Sequence, residues 1–262
     1  MSWVHSSFYR FTPVADPVAF AAWLREAASA LGGVILVAEE GLSAAIAGEA
    51  SAVQAFETAL QAQPGFQGLD FKHNVCERLP FSRLKVSTKR EIVAFGIPGV
   101  QGDATDTHVS PQRWRELLAD PGTVVLDNRN TFEFKLGRFR GAVDPGVAHF
   151  RDFPAYVEAH RDEWQGKTVA MYCTGGIRCE KTAAWMQQQG LKVAQLDGGI
   201  LNFLETFPDA AADWQGECYV FDKRIAIDAA GRETGTRAED VFTDPADAWR
   251  LNRARRLDPT AE

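Results

Sequence analysis

Apolar segments alternate with helical ones through the second half of the chain, and this alternation restricts the fold more than any other feature. Three segments have the length and composition of buried strands: Val124–Leu126, Thr168–Tyr172 and Val193–Leu196. The helical patterns around them are Pro111–Leu118, Phe153–His160 and Cys179–Gln189. Apolar strands that alternate with helices are typical of a parallel sheet covered on both faces. The second half is therefore predicted to be an α/β domain.

The first half shows a different order of elements. Strand and helix patterns follow one another as β-α-β-β-α-β, near residues 7–11, 16–30, 34–38, 42–47, 51–63 and 69–74. Asp16 and Pro17 supply an N-cap and a first-turn proline for the first helix, and Ser51 is the candidate cap of the second. This order is that of a ferredoxin-like α+β domain.

A segment rich in glycine and proline lies between the two halves and predicts an interdomain linker. We therefore predict a ferredoxin-like domain over residues 1–95, a linker over 96–110, an α/β domain over 111–215 and a C-terminal extension over 216–262. The extension contains an extended piece, Cys218–Ile227, and a polar tail from Thr234 that we expect to be loosely held.

Charge and cysteine content limit the class of protein. The formal net charge of −7 disfavours a nucleic-acid partner, although an acidic chain can still carry a local basic face. No apolar run reaches the ~20 residues that cross a bilayer, and Met1–Arg10 lacks a secretory signal pattern. Four cysteines are too few for a disulfide framework. We expect a cytoplasmic protein with reduced thiols and no membrane partner.

The stretch from Tyr172 to Lys181 joins a buried strand to a helix within six residues. Its glycines let the backbone curl, so that N–H groups of Thr174, Gly175, Gly176 and Ile177 can converge on one point beside the positive helix end. An anion on Cys173 is then favoured, and its thiol is expected to have a lowered pKa. Alternatively, Cys173 is a small buried apolar residue, which its place at a strand's carboxyl end disfavours.

Other residues near this loop allow more than one role. Arg178 holds the loop and its anion, or else begins the helix with its head in water. Asp127 and Arg129 end a strand at the same crevice, where an ion pair with Glu133 is at least as well supported as catalysis. Cys179 either resolves a persulfide or disulfide of Cys173 or, as we favour, packs as a helix thiol.

Three motifs in this half resemble those of the rhodanese family. Cys173, Gly176 and Arg178 match its active loop, Cys-x-x-Gly-x-Arg. The resemblance implies a rhodanese-like domain over residues 111–215, with chemistry centred on the thiol of Cys173. The residues that match its other two motifs are Asp127, Arg129, Glu133, Gly137, Gly141, Ala142 and Asp197–Ile200.

Phosphate-ester hydrolysis is the competing chemistry for a cysteine in an anion loop. Protein phosphatases resemble Cys-x5-Arg, one residue longer than the present loop, and Cys179 stands where their arginine would be. A shorter loop suits a single sulfur atom better than a phosphate. The phosphatase hypothesis is therefore the weaker one.

The order of the two domains is similar to that of the oxygen-dependent tRNA uridine-34 hydroxylases of bacteria. The resemblance implies an oxidoreductase that converts the wobble uridine to 5-hydroxyuridine, with O₂ as co-substrate and a cysteine persulfide, hence a possible sulfur donor. Two features depart from the family: Leu42–Ala45 replaces its Ile-Asn-Gly-Thr, and no cysteine follows Cys218, so we expect no metal site in the tail. The matching stretches are Glu40-Gly41, Ala47-Gly48, Arg83–Val86, Lys89–Val93, Cys173–Lys181 and Gly216–Asp222.

A basic segment gives weaker and independent support for tRNA as partner. Residues 72–90 hold six Lys or Arg against one Glu, a balance of +5 on an acidic chain. Alternation of charged and apolar side chains there predicts a strand with one basic face. A solvated sheet edge explains the charge equally well, and the resemblance favours tRNA. The candidate tRNA-binding residues are Arg83, Lys85, Lys89 and Arg90.

No pattern indicates a metal or an organic cofactor. The five histidines are scattered and form no His-x-Asp/Glu facial triad that would indicate iron, and there is no Gly-x-Gly-x-x-Gly stretch. Three functions stay open: a tRNA-modifying oxygenase that depends on Cys173, a sulfurtransferase using thiosulfate or a protein sulfur donor, and a non-catalytic rhodanese scaffold. The intact cysteine loop disfavours the scaffold, and the basic segment favours the oxygenase over the sulfurtransferase.

Overall fold

The computed structural model describes residues 3–102 and 105–255. The chain divides into two compact units, Met1–Ala94 with Asn252–Glu262, and Phe95–Leu251. Among the described residues, no helix is both long and apolar enough to span a membrane.

The first unit is a five-stranded sheet with two helices. Its strands are β1 (Trp3–Phe11), β2 (Gly32–Ala38), β3 (Gly41–Gly48), β4 (Lys72–Cys76) and β5 (Leu84–Thr88), and its helices are α1 (Pro17–Ala27) and α2 (Ala50–Gln61). The strand order is β4-β1-β3-β2-β5. The first four strands pair antiparallel, whereas β5 runs parallel to β2 at the edge. The predicted ferredoxin-like order is confirmed, with one strand added.

The helix caps of this unit follow the sequence in one case and depart from it in the other. The carboxylate of Asp16 accepts hydrogen bonds from the N–H groups of Val18 and Ala19, which fixes the start of α1. The prediction that Ser51 caps α2 is wrong. The N-cap is Glu49, because its carbonyl already accepts from Ala52 N and Val53 N at 3.0 Å.

The core of the first unit lies between the helices and one face of the sheet. Val53, Phe56 and Leu60 of α2 are at most 2% exposed, so the face predicted for this helix is the buried one. They pack in one cluster with side chains of the strands and of α1, among them Ile35, Ile46 and Leu24. The partly buried Leu84 and Val86 of β5 pack against the same cluster.

The second unit is built on a parallel sheet flanked by helices. Its strands are β6 (His108–Val109), β7 (Thr123–Asp127), β8 (Gly137–Phe139), β9 (Thr168–Tyr172), β10 (Lys192–Leu196), β11 (Trp214–Gly216), β12 (Cys218–Tyr219) and β13 (Ala226–Ile227). Its helices are α3 (Pro111–Ala119), α4 (Thr131–Leu136), α5 (Phe153–His160), α6 (Ile177–Gln188), α7 (Gly199–Thr206) and α8 (Ala238–Val241). The last described helix, α9 (Ala248–Arg255), begins in this unit.

The four-stranded sheet has the order β6-β10-β9-β7 and is parallel throughout, as predicted. Asp127 at the end of β7 pairs in register with Tyr172 at the end of β9. Because the strands are parallel, their carboxyl ends share one edge of the sheet. That edge carries the cysteine that follows Tyr172.

Two segments of the second unit are more ordered than the sequence indicates. The last residues of the segment predicted as linker, 96–110, include β6, which pairs with Gln195 and Leu196; residues 103 and 104 lie outside the described residues. The expectation of a loosely held tail is wrong for residues 234–251. Phe242 is 5% exposed, and its ring lies 5.0 Å from that of Phe132 and 5.8 Å from that of Tyr219. Residues 256–262 lie outside the described part.

Candidate active site

Cys173 follows directly on β9 and is 1% exposed. The turn after it reaches α6 through Gly176, which has the left-handed φ of 102° that glycine tolerates best. This conformation turns the N–H of Gly176 towards Cys173 Sγ, at 3.1 Å. Thr174, Gly175 and Ile177 complete the turn, and we call residues Cys173–Arg178 the cysteine loop.

The cysteine loop holds its sulfur as an anion. Burial acts to raise the pKa of Cys173, but a hydrogen bond from the Cys179 thiol, the charge of Arg178 and the backbone N–H groups of both residues outweigh it. The pKa falls to about 5. Cys173 is therefore a thiolate at neutral pH, in agreement with the lowered pKa predicted from the loop.

Cys179 lies in the first turn of α6 and is fully buried. Burial raises the pKa of its thiol well above the usual range, and so does the hydrogen bond to Cys173. Cys179 therefore stays a protonated thiol, and its S–H donates a hydrogen bond to the thiolate of Cys173. The packed helix thiol that the sequence favours is present, but it also contacts the reactive sulfur.

The Gly198-Gly199 turn supports the loop from behind. The first N–H groups of α7 donate to loop carbonyls, Ile200 N to Cys173 O at 3.0 Å and Leu201 N to Thr174 O at 3.1 Å. Gly199 has a φ of 65°, and a Cβ there would lie 2.4 Å from Cys173 O. A side chain at Gly199 would therefore displace the cysteine loop.

The head of Arg178 is held inside the protein. Its Nη1 and Nη2 bind the two oxygens of Glu133 at 2.8 Å each. Arg178 is 7% exposed and Glu133 is fully buried, so the alternative of a solvated arginine is wrong. Burial alone would raise the pKa of Glu133, but the arginine charge overcomes it and lowers that pKa. Such bidentate pairs fix orientation as well as charge.

Asp127 and Arg129 form a second buried pair. Arg129 Nη2 binds Asp127 Oδ2 and the carbonyl of Gly137, both at 2.6 Å. Its guanidinium lies 5.5 Å from the ring of Tyr172 and 5.4 Å from that of Trp214. Arg129 therefore forms its ion pair with Asp127 and not with Glu133. Glu133 pairs with Arg178 instead. The Asp127–Arg129 pair joins the end of β7 to β8, because Arg129 also binds the carbonyl of Gly137.

The candidate tRNA-binding residues lie in the first unit, on or beside β5. Arg83, Lys85, Lys89 and Arg90 are all exposed, although the strand is shorter than the predicted segment. Arg25 Nη2, from the last turn of α1, donates to Val86 O at 3.2 Å. With Arg83 and Lys85 it lines a shallow groove of about 360 Å³. We call these five residues the basic edge.

Arg25 and Gly199 are the site residues that sequence reasoning did not single out for a role. Arg25 lies 58 residues before Arg83, and only the packing of α1 against β5 brings the two together. Gly199 belongs to a motif that was recognised, but its contact with the loop backbone has no signal in the sequence. Among the described residues, no group of three or more His, Cys, Asp or Glu is arranged to hold a metal ion.

Comparison with known proteins agrees with both units. Residues 3–92 match the family model described as UPF0176 acylphosphatase like domain, and residues 110–206 match the Rhodanese-like domain. Fold and site thus define a rhodanese-domain protein with an acylphosphatase-like domain at its N-terminus.

Relatives at high identity specify the family further. The chain is 46% identical over 232 residues to the tRNA uridine(34) hydroxylase of Synechococcus elongatus, covering 87% of this chain and 86% of the relative. It is 40% identical over 260 residues to the tRNA uridine(34) hydroxylase of Deinococcus radiodurans, covering 98% and 85%. The chain belongs to the tRNA uridine(34) hydroxylase family.

Proposed function

We propose that this protein hydroxylates uridine 34 of tRNA to 5-hydroxyuridine, with Cys173 as its reactive group. The observation that carries the proposal is 46% identity to a tRNA uridine(34) hydroxylase over 87% of the chain, together with an intact, ionised cysteine loop. The protein is then an oxidoreductase of tRNA modification, acting in the cytoplasm.

The two units divide the work in this proposal. The basic edge carries five exposed cations on an otherwise acidic chain, and Lys and Arg supply the contacts that position nucleic acids through their phosphates. The cysteine loop supplies the chemistry, because its thiolate is nucleophilic at neutral pH. tRNA binds through the first and reacts at the second.

O₂ is the proposed source of the added oxygen. One of its atoms enters the base, and the other is reduced to water by two protons and two electrons from an external two-electron reductant, which is a required co-reactant. The contribution of this chain is to keep the sulfur of Cys173 anionic and shielded from water, whether as a thiolate or as the outer sulfur of a persulfide. A persulfide requires a sulfur donor, which is therefore a further proposed partner.

A sulfurtransferase is the second candidate, and one observation favours it. The N–H groups around Cys173 and the Cys179 thiol stabilise a single anionic sulfur, which is what a persulfide intermediate needs. In this function the loop would pass its outer sulfur to a thiol or cyanide, and tRNA would be unchanged.

The decisive experiment is nucleoside mass spectrometry of tRNA from cells with and without the gene. The deletion strain is complemented with the parent, with Cys173→Ala, or with Cys218→Ala. The last is a matched control, since burial raises the pKa of Cys218 to about 12 and leaves it a thiol. We expect 5-hydroxyuridine with the parent and the control alone. Growth under ¹⁸O₂ must then label the nucleoside; unlabelled product would exclude O₂ as the source.

A further inference from the structure

The second unit carries a large aromatic side chain that lies outside its hydrophobic core. Trp249, the second residue of α9, is 48% exposed. Its indole stacks on His149, with ring centres 5.8 Å apart and planes inclined by 28°. The guanidinium carbon of Arg250 lies 4.5 Å from the same ring centre.

The ring is held in place by fixed neighbours. Arg250 is 8% exposed, and its guanidinium binds the carbonyl of Ala148 and the carboxylate of Asp247. Its Nη2 also lies 3.4 Å from His149 Nδ1. The guanidinium and the imidazole therefore lie side by side against the indole, and nearly half of the Trp249 surface stays open. A ring ordered in advance loses little entropy when a ligand covers it.

The same arginine connects this ring to the cysteine loop. Its guanidinium carbon lies 5.0 Å from the ring centre of Phe132, which precedes Glu133 on α4. Glu133 in turn holds Arg178 of the loop. The open indole thus belongs to the set of packed side chains that supports the active site.

We propose that Trp249 is a stacking platform for a nucleobase that neighbours the target uridine in the single-stranded anticodon loop. This inference rests on the proposed function, which supplies single-stranded RNA as the substrate. Unpaired bases stack on aromatic rings with little dependence on sequence. The exposed Arg151, two residues after His149, adds a cation for the backbone, and the charge of Asp247 is neutralised by Arg250.

The test measures binding of the full-length protein to an anticodon stem-loop RNA with uridine at position 34, at several salt concentrations. Trp249→Ala should weaken binding roughly 5- to 150-fold, the equivalent of ~1–3 kcal/mol for one stacked base. The salt slope should stay unchanged, since no charge is removed. Trp249→Phe should bind nearly as the parent does. Val18→Ala, which trims a side chain that is 70% exposed in the first unit, is the matched control.

Parent affinity in a folded Trp249→Ala variant would overturn the proposal and assign the exposed ring to a protein partner or to no partner. If that variant unfolds, fluorescence of the parent and of Trp249→Phe replaces it. RNA must quench the parent more strongly, and equal quenching refutes stacking at this ring. Since the readout is binding, failure to find 5-hydroxyuridine in tRNA would refute the proposed activity and leave this result standing.

Discussion

The cysteine loop and the basic edge both attract anions, by opposite physical means. In the loop the anion is a buried sulfur held by backbone N–H groups and a thiol, while the nearby charge of Arg178 is balanced by Glu133. At the basic edge, by contrast, long side chains of Arg83, Lys85, Lys89 and Arg90 reach into solvent. Buried interactions are screened little by salt, whereas exposed charges lose most of their attraction beyond the Debye length of ~10 Å at 0.1 M salt.

This difference shows that the cysteine loop is suited to binding one atom at a fixed position, whereas the basic edge is suited to binding an extended polyanion. A loop of fixed dipoles recognises one atom at one position, and it costs no reorganisation when that atom reacts. A row of solvated cations recognises a spread of phosphates without fixing any single contact. Salt and single substitutions should therefore separate the two regions, and the following variants test that separation.

The largest effect is expected from Cys173→Ala. Loss of the sulfur should abolish tRNA hydroxylation, because burial raises the pKa of Cys179 and of Cys218 and keeps both as thiols. Affinity for tRNA should stay at the parent value because the basic edge is intact. Activity is measured by mass spectrometry of tRNA treated with purified protein, and affinity by a binding titration. Parent-level activity in the variant would show that Cys173 is not the reactive group.

The next effect is on folding. Glu133→Ala leaves Arg178 buried without its partner, and breaking such a pair costs ~3–5 kcal/mol of unfolding free energy. The loss of unfolding free energy is measured by urea unfolding, in which the m-value should stay that of the parent. The size of the loss should hardly change with salt concentration. Glu116→Ala is the control, since its pair with Arg113 is more than half exposed on both sides and should contribute little. Similar losses for both variants would contradict the distinction between buried and exposed pairs.

Charge reversal at Arg83, Lys85, Lys89 and Arg90 should weaken tRNA binding and lower its salt dependence. Each phosphate contact removed should reduce the salt slope by about one unit. Alkylation of Cys173 should proceed at the parent rate, which excludes misfolding. Unchanged affinity and slope would mean that this strand edge is only solvated.

The smallest effect concerns the pKa of Cys173. Since this pKa is about 5, the rate of alkylation should be level at neutral pH and fall as pH drops through about 5, where the thiolate takes up a proton. Cys179→Ala removes a donor to the sulfur and should move this fall to higher pH. Cys179→Ser restores a donor and should keep the parent profile and substantial activity.

If the pH profiles of Cys179→Ala and the parent coincide, the Cys179 thiol does not lower the pKa of Cys173. Loss of activity in Cys179→Ser as complete as in Cys173→Ala would instead indicate a two-cysteine mechanism. The first result would leave the charge of Arg178 and the backbone N–H groups as the support of the anion.

Local patterns in the sequence determined the elements and the identity of the reactive cysteine. The alternation of apolar strands with helices predicted the parallel sheet, and β-α-β-β-α-β order predicted the ferredoxin-like unit. Cys173, Gly176 and Arg178 could be recognised because a tight turn between strand and helix needs few residues, all close in sequence. These features depend on spacing and on backbone freedom, which are readable without a fold.

Only the tertiary structure decided which side chains meet. Arg178 and Glu133 are 45 residues apart, and the choice between Arg178 and Arg129 as partner of Glu133 depended on where α4 packs against the loop. Arg25 is part of the basic edge because α1 lies beside β5. The tail is ordered because Phe242 packs against Phe132. Contacts between distant residues follow from the packing of whole elements, and no local pattern of residues encodes that packing.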